Sequence, residues 1–377
     1  MWSSKPLGDI VDILDKQRKP ITKKNRVEGN IPYYGATGVV DWVKDYIFEE
    51  KLVLVGEDGA KWDKGDNTAF IVDGKTWVNN HAHVIRPKAN FVTHKWLTYY
   101  LTSIDLSPWV TGLTVPKLNQ AQLRSIPIPL PPLAEQQRIV AKLDAAFAEI
   151  DKAIDATSLS IEQAKNGLCN LIDEKTSNRN DWKEYKISDL GLVQTGNTPK
   201  TSDKANYGTD IPFVKPPHFR ANGTIEIGED GLSLIGAKAS RKAAAKSVMM
   251  VCIGATIGKV AVSSEDVCFN QQINALSTTK DYDAELIYWQ MRGSRFQREV
   301  REKAGQATLP IISKAKWASL NIFLPSNIDE QIQIRNQLRA LSNQTDNYCT
   351  MKSKKIQQLE SLKSAILTQE INPSEAA

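Results

Sequence analysis

Ile126-Pro127-Ile128-Pro129-Leu130-Pro131-Pro132-Leu133-Ala134-Glu135-Gln136 and Leu320-Asn321-Ile322-Phe323-Leu324-Pro325-Ser326-Asn327-Ile328-Asp329-Glu330-Gln331 are one passage written twice, with Glu330-Gln331 standing 195 residues after Glu135-Gln136. Each is a short apolar strand that stops at proline and gives way to a helix with acidic residues in its first turn. Pro132 suits a first-turn position in the first copy, and Ser326 or Asn327 serves as N-cap in the second.

Downstream of the first copy, Val140, Leu143, Phe147, Ile150, Ile154, Thr157, Ile161, Ala164, Leu168 and Leu171 recur at steps of three and four residues. That is a heptad seam. After the second copy, Ile334, Leu338, Leu341, Tyr348, Ile356, Leu359 and Ile366 form a poorer stripe, interrupted near Lys352. A helix of about 40 residues spans roughly 60 Å, more than a small domain can cover, so its narrow seam needs a partner helix. The chain supplies one, and antiparallel pairing of the two is expected. Core helices of two separate domains are the alternative.

Upstream the duplication continues. Trp2-x4-Leu7-Gly8-Asp9-Ile10 answers Trp182-x4-Ile187-Ser188-Asp189-Leu190, and the two tryptophans are expected in equivalent cores. Leu54-Val55-Gly56-Glu57-Asp58-Gly59 is set against Cys252-Ile253-Gly254-Ala255-Thr256-Ile257-Gly258, and Asn79-Asn80-His81-Ala82-His83-Val84-Ile85 against Asn270-Gln271-Gln272-Ile273-Asn274-Ala275-Leu276. Leu97-x-Tyr99-Tyr100 matches Leu286-x-Tyr288-Trp289, and Gly112-x-Thr114-Val115-Pro116 matches Gly305-x3-Leu309-Pro310. Self-similarity at long period decides architecture before local structure does. The expected fold is mixed α/β (α+β): two repeated globular domains, 1–132 and 177–327, alternate with two long helices, 133–176 and 328–371, that pair as an antiparallel coiled coil about a pseudo-twofold axis. Such a pair would act as a ruler between the two globular blocks.

With 377 residues the chain is long enough for two or three cores, and no apolar run reaches the roughly 20 residues of a membrane span. No secretory signal opens the sequence, so the cytoplasm is the expected location. Cys169, Cys252, Cys268 and Cys349 include no CxxC pair, which argues against disulfides and zinc and suits small buried residues. Net charge is +5, and the excess sits in the globular blocks: residues 1–132 hold 17 basic against 14 acidic side chains, and 181–327 hold 19 against 15. Two locally positive surfaces suit two nucleic-acid-binding modules.

Ile31-Pro32-Tyr33-Tyr34-Gly35-Ala36-Thr37-Gly38, Gly56-Glu57-Asp58-Gly59-Ala60, Thr195-Gly196-Asn197-Thr198-Pro199 and Ile211-Pro212-Phe213-Val214-Lys215, together with the strand-to-helix passage, resemble the specificity subunits of Type I restriction-modification systems. The resemblance spans essentially the whole chain. Its second copy departs from the family pattern, with Ser326-Asn327-Ile328 replacing Pro-Pro-Leu at the helix entry. The resemblance implies a non-catalytic, DNA-binding subunit whose two target-recognition domains read an asymmetric, bipartite site in double-stranded DNA. Its implied partners are two methyltransferase subunits and, through them, restriction-translocase subunits. It implies no cofactor in this chain, with S-adenosylmethionine, ATP and magnesium held by the partners. The helix flanks Gln136, Gln137, Gln357 and Gln358 are expected to face the methyltransferases.

The chain contains no Asn-Pro-Pro-Tyr or Asp-Pro-Pro-Tyr motif, and Lys215-Pro216-Pro217-His218 does not replace one. Gly254-x3-Gly258-Lys259-Val260 is one residue short of a Walker A loop and reads as a strand-to-strand turn. His81-x-His83 has no cysteine or acidic cluster of metal-site spacing beside it, so no metal site is expected and a DNA contact or strand-surface role is preferred. Base readout needs amides and cations, and the candidates are Asn79, Asn80, His81 and Lys117 in the first block and Asn270, Gln271 and Gln272 in the second. Tyr33, Tyr34 and Thr37 lie in a glycine-flanked turn; Lys215, His218 and Arg220, with the basic run Arg241, Lys242 and Lys246, suit phosphate contacts. Capping, packing or solvated surface is the competing role for each. Two other functions compete: the recognition part of a fused methyltransferase-nuclease, and a coiled-coil scaffold without a DNA role.

Overall fold

The computed structural model describes residues 2–112, 114–177, 182–220, 222–305 and 308–372, and two compact units account for them: residues 1–157 with 354–377, and residues 158–353. The first unit carries β1 (Ser4–Pro6), β2 (Val11–Ile13), β3 (Glu28–Gly35), β4 (Gly38–Val43), β5 (Phe48–Glu49), β6 (Leu52–Gly56), β7 (Ala69–Val72), β8 (Lys75–Val78), β9 (Ala82–Pro87) and β10 (Pro127–Pro129). Its short helices are α1 (Leu7–Ile10), α2 (His94–Ser103) and α3 (Gln120–Ser125), and α4 (Leu133–Lys175) begins here. The second unit carries β11 (Trp182–Lys186), β12 (Gly191–Thr195), β13 (Tyr207–Val214), β14 (Gly231–Leu232), β15 (Lys242–Ala243), β16 (Val248–Val251), β17 (Val260–Val262), β18 (Val267–Phe269), β19 (Ile273–Thr278) and β20 (Asn321–Pro325). Its helices are α5 (Leu234–Lys238), α6 (Ala284–Arg292), α7 (Ser294–Ala304) and α8 (Lys314–Ala318), and α9 (Ile328–Ile371) begins here.

The two units share one topology. Strand order β2-β9-β6-β7 is matched by β12-β19-β16-β17, all antiparallel, and β4-β3-β8-β5 by β14-β13-β18-β15, in which β3–β8 and β13–β18 run parallel. The opening and closing strands pair antiparallel in each, β1 with β10 and β11 with β20. Both faces of the first sheet are covered, which explains why its central strands are apolar without alternation. Val53 and Val55 on β6 face the core that holds α2, while Leu52 and Leu54 face the second sheet. On β16, Val248 and Met250 take the first role, and Met249 and Val251 the second.

The registers correct the expected alignment. Glu57 N–H donates to His81 O at 2.8 Å and Cys252 N–H to Gln272 O at 2.7 Å, so Glu57, not Leu54, is the counterpart of Cys252. The apolar runs Leu52–Val55 and Val248–Val251 tolerate a slip of three residues in sequence comparison, and only the ladder fixes the phase. Gly254 and Gly258, at φ +97° and +87°, make the turn between β16 and β17 that their spacing suggests.

Each long helix, Leu133–Lys175 and Ile328–Ile371, contributes residues to both units. In the first unit α4 and the end of α9 run antiparallel, with Lys142–Glu370 and Lys363–Asp151 ion pairs of 2.7 Å and the Lys363 ammonium over the Phe147 ring. Leu143, Phe147, Ile150, Leu367 and Ile371 are buried, and most of these join the core of the globular block. In the second unit Leu168, Ile172, Ile334 and Leu338 are buried in one core, and Tyr348 hydrogen-bonds Ser160. The seam therefore departs from the expected positions at its ends: Leu171 is 37% exposed and Ile172 1%, and Ile366 is half-buried beside buried Leu367. Where a block covers the helix, the buried face widens beyond a two-helix stripe. Ile154, Ile161, Leu341, Ile356 and Leu359 are half-buried, as a bare pair of helices requires.

At both helix entries a buried glutamine ties helix to block. Gln136 accepts from Thr93 N–H at 3.0 Å and donates to Phe91 O and Pro131 O; Gln331 accepts from Asp283 N–H at 2.9 Å and donates to Pro325 O. Thr93 and Asp283 are the N-caps of α2 and α6. Gln136 is thus no partner-facing flank, although Gln137, Gln357 and Gln358 are exposed. Asn327, rather than Ser326, caps α9 by accepting from Asp329 N–H.

Candidate nucleic-acid interface

In the first unit four segments meet at one end of the β2-β9-β6-β7 sheet: the turn at 15–18 after β2, Glu57-Asp58 after β6, the loop 79–81 before β9, and Thr111, Lys117 and Leu118 before α3. Gly56 makes the meeting possible, since a Cβ there would lie 2.5 Å from Ala60 Cβ and 3.1 Å from Ala36 O. Asn79, Asn80, His81 and Lys117 are brought together here. Asn79 is buried and its side chain accepts from His81 N–H at 2.7 Å, a turn-forming role. Asn80 and His81 are exposed, and His81 pairs with Asp58. Lys117 reaches Glu57 at 2.9 Å and Asp58 at 3.7 Å.

Beneath these lies a network that sequence reading missed. Arg18 donates to Glu57 at 2.5 Å, to Asn80 O at 3.4 Å and to Ala82 O at 2.8 Å. His83, fully buried, meets Asp15 Oδ2 through Nδ1 and donates to Leu118 O through Nε2, both at 2.7 Å. It is therefore no strand-surface residue. Asp15 also accepts from Val84 N–H and Gln120. Burial opposes ionisation of Asp15, yet the His83 contact and these donors hold its pKa below the usual carboxylate range. Burial likewise opposes ionisation of Glu57, and Lys117 and Arg18 more than compensate. Asp15, Glu57 and His83 bring ligand-type atoms within 4.8 Å of one another, but Arg18, Lys117 and the Leu118 carbonyl already occupy them, so the donor set does not fit an ion. Asp15 and Arg18 are separated by two ordinary turn residues, and no sequence signal marks them.

Tyr33 is core: its hydroxyl accepts from Ile21 N–H at 2.9 Å and Arg26 lies over its ring. Tyr34 is half-buried against Phe70. Thr37 is exposed in the turn between β3 and β4.

In the second unit the corresponding end gathers Asn270, Gln271, Gln272 and Arg241. Buried Asn270 repeats the turn of Asn79, accepting from Gln272 N–H at 3.1 Å. Exposed Gln271 accepts from Thr198 at 2.6 Å. The Arg241 guanidinium donates to Thr195 O at the end of β12, and its backbone N–H donates to the Asn197 side chain. Lys215 and His218 share Asp230 at 2.9 and 3.0 Å, Arg220 pairs with Glu226, and Lys242 with Asp266. Lys215, Arg220 and Lys242 are ion-paired, which lowers the positive potential expected of them; His218 is buried, its Nδ1 accepting from Lys215 N–H and its Nε2 meeting Asp230. Lys246 adopts a left-handed conformation, φ +65°, in the turn before β16.

A family model described as the Type I restriction modification DNA specificity domain matches residues 1–157 and 179–361. A putative type I restriction enzyme specificity subunit of Haemophilus influenzae, S.HindORF215P, is 31% identical over 288 residues, covering 74% of this chain and 72% of that protein. The putative MjaX specificity subunit of Methanocaldococcus jannaschii is 22% identical over 406 residues, 97% and 92% of the two chains. Among solved structures, a chain from a type I R-M system studied for complex assembly and conformational transition superposes with a TM-score of 0.73 at 16% identity, covering 98% and 97%. The HsdS subunit of Thermoanaerobacter tengcongensis gives 0.50 at 17%, over 98% and 96%. These two likenesses concern the fold.

Proposed function

Since the chain belongs to the Type I restriction-modification DNA specificity family, we propose that its two sheet ends read the two halves of a bipartite, asymmetric site in double-stranded DNA. One observation carries the reading: the same backbone frame occurs twice, and it presents different polar groups each time, Asn80, His81, Lys117 and Thr37 in one unit and Gln271, Gln272 and Arg241 in the other. Equal frames with unequal readers suit a site whose halves differ. The likeness to a chain from an assembled type I system supports a role within a complex. The partners in this reading are two methyltransferase subunits and restriction-translocase subunits, which carry S-adenosylmethionine, ATP and magnesium. This chain contributes recognition rather than catalysis, and it acts in the cytoplasm.

The test is reconstitution with the methyltransferase subunits of its own system, followed by mapping of methylated adenines across a genome. Two short, different, fixed sequences separated by an unread spacer of constant length are expected. Methylation at a continuous site, or by this chain alone, would overturn the reading.

A further inference from the structure

The two units form a natural control experiment. The ladders and bridges set Glu57 against Cys252, His83 against Asn274 and Lys117 against Ile311; Asp15, in the turn two residues past the last β2–β9 pair, Ile13–Ile85, meets His83 through its side chain, as strand residue Thr195 meets Asn274. The frame is held by the same backbone bonds in both: Leu118 N–H to Glu57 O at 2.8 Å, and Ile312 N–H to Cys252 O at 3.0 Å. At the positions answering Asp15, Glu57, His83 and Lys117 the second unit thus uses neutral side chains, Thr195 donating to Asn274 at 2.6 Å, with Arg241 on the Thr195 carbonyl. A buried charged network is costly to desolvate, and here the fold does not require one. Its contacts lead outward instead: Arg18 grips the Asn80 carbonyl, Asp58 holds His81, and Glu57 holds Lys117.

We propose that Asp15, Arg18, Glu57 and His83 are positioning residues that fix Asn80, His81 and Lys117 for base readout by the first unit alone. The inference rests on the DNA-reading function argued above. Removing one member leaves its partner unpaired, but Asp15→Thr with His83→Asn installs the neutral side-chain pair that the second unit uses at the corresponding sheet end.

The experiment reads methylation by the reconstituted complex over a library in which every base of both half-sites is varied. D15T/H83N is expected to assemble and to lose about ten-fold in base discrimination at one half-site, the scale of one good base contact, with the other half-site unchanged. A loss of packing alone would lower methylation of all sites together without changing base preference. Unchanged preference at both half-sites, or equal relaxation of both, overturns the inference. Glu57→Gln, which frees Lys117 and Arg18 without changing volume, is read by the same criteria and decides the matter if the double variant fails to assemble. Exchange of residues 182–325 for a relative's block should alter the half-site that D15T/H83N leaves intact; alteration of the same half-site also overturns the assignment. A wild-type complex with no bipartite preference would instead refute the function itself.

Discussion

Asp15 shows how little of a buried network is written locally. Its carboxylate takes hydrogen bonds from Val84 and Gln120 and faces His83, partners 69, 105 and 68 residues away. Because its pKa is held below the ordinary value of about 4, its stabilisation is fully present above the unfolded-state pKa and is lost as pH falls through the lowered folded value. Asp15→Asn is therefore expected to destabilise the first unit by about 1–3 kcal/mol at pH 7, leaving His83 without the nearer of its two carboxylates, and by progressively less below pH 4. Urea titrations read by hydrogen exchange in first-unit peptides measure this; a cost independent of pH would refute the assignment. The cysteines make a smaller point. Cys252 and Cys268 are buried, with burial pushing the Cys252 thiol up to about 12, but Cys169 and Cys349 are only half-buried on the helices, where a two-helix seam covers less.

At the scale of elements, the passage around Glu135-Gln136 and its repeat predicted strand, stop and helix start correctly, because proline, caps and first-turn acids act within a few residues. It did not reveal that the glutamines are the joints. Gln136→Met keeps volume but strips partners from Thr93 N–H, Phe91 O and Pro131 O, so a loss of about 1–3 kcal/mol is expected, against at most about 0.5 for the exposed Gln137→Met. Equal effects in thermal unfolding would mean that the joint contributes nothing. The seam makes a graded prediction. Leu338→Ala, at a fully buried position, is expected to cost about 2–5 kcal/mol, and Ile356→Ala, half-buried, clearly less. The reverse order would show that the middle of the seam, not its block-covered end, carries the pairing.

For the whole molecule, each unit has its own sheets, core, opening strand and closing strand, so each is a structural module. Replacing residues 182–325 by the corresponding block of another family member is expected to change one half-site of the methylated sequence and leave the other intact; change in both would contradict modularity. The duplication, the mixed α/β class and the long antiparallel helices were legible in sequence, since repeats and heptad steps are properties of the chain read in order. Other features needed the folded molecule. The register of Glu57 against Cys252 was hidden because an apolar strand buried on both faces reads the same after a slip. Asn79 and Asn270 proved to be turn-formers, and Lys215, His218, Arg220 and Lys242 proved to be paired with carboxylates. Whether a polar side chain is spent inside the protein or left for a ligand depends on partners brought from far along the chain, and only tertiary structure chooses them.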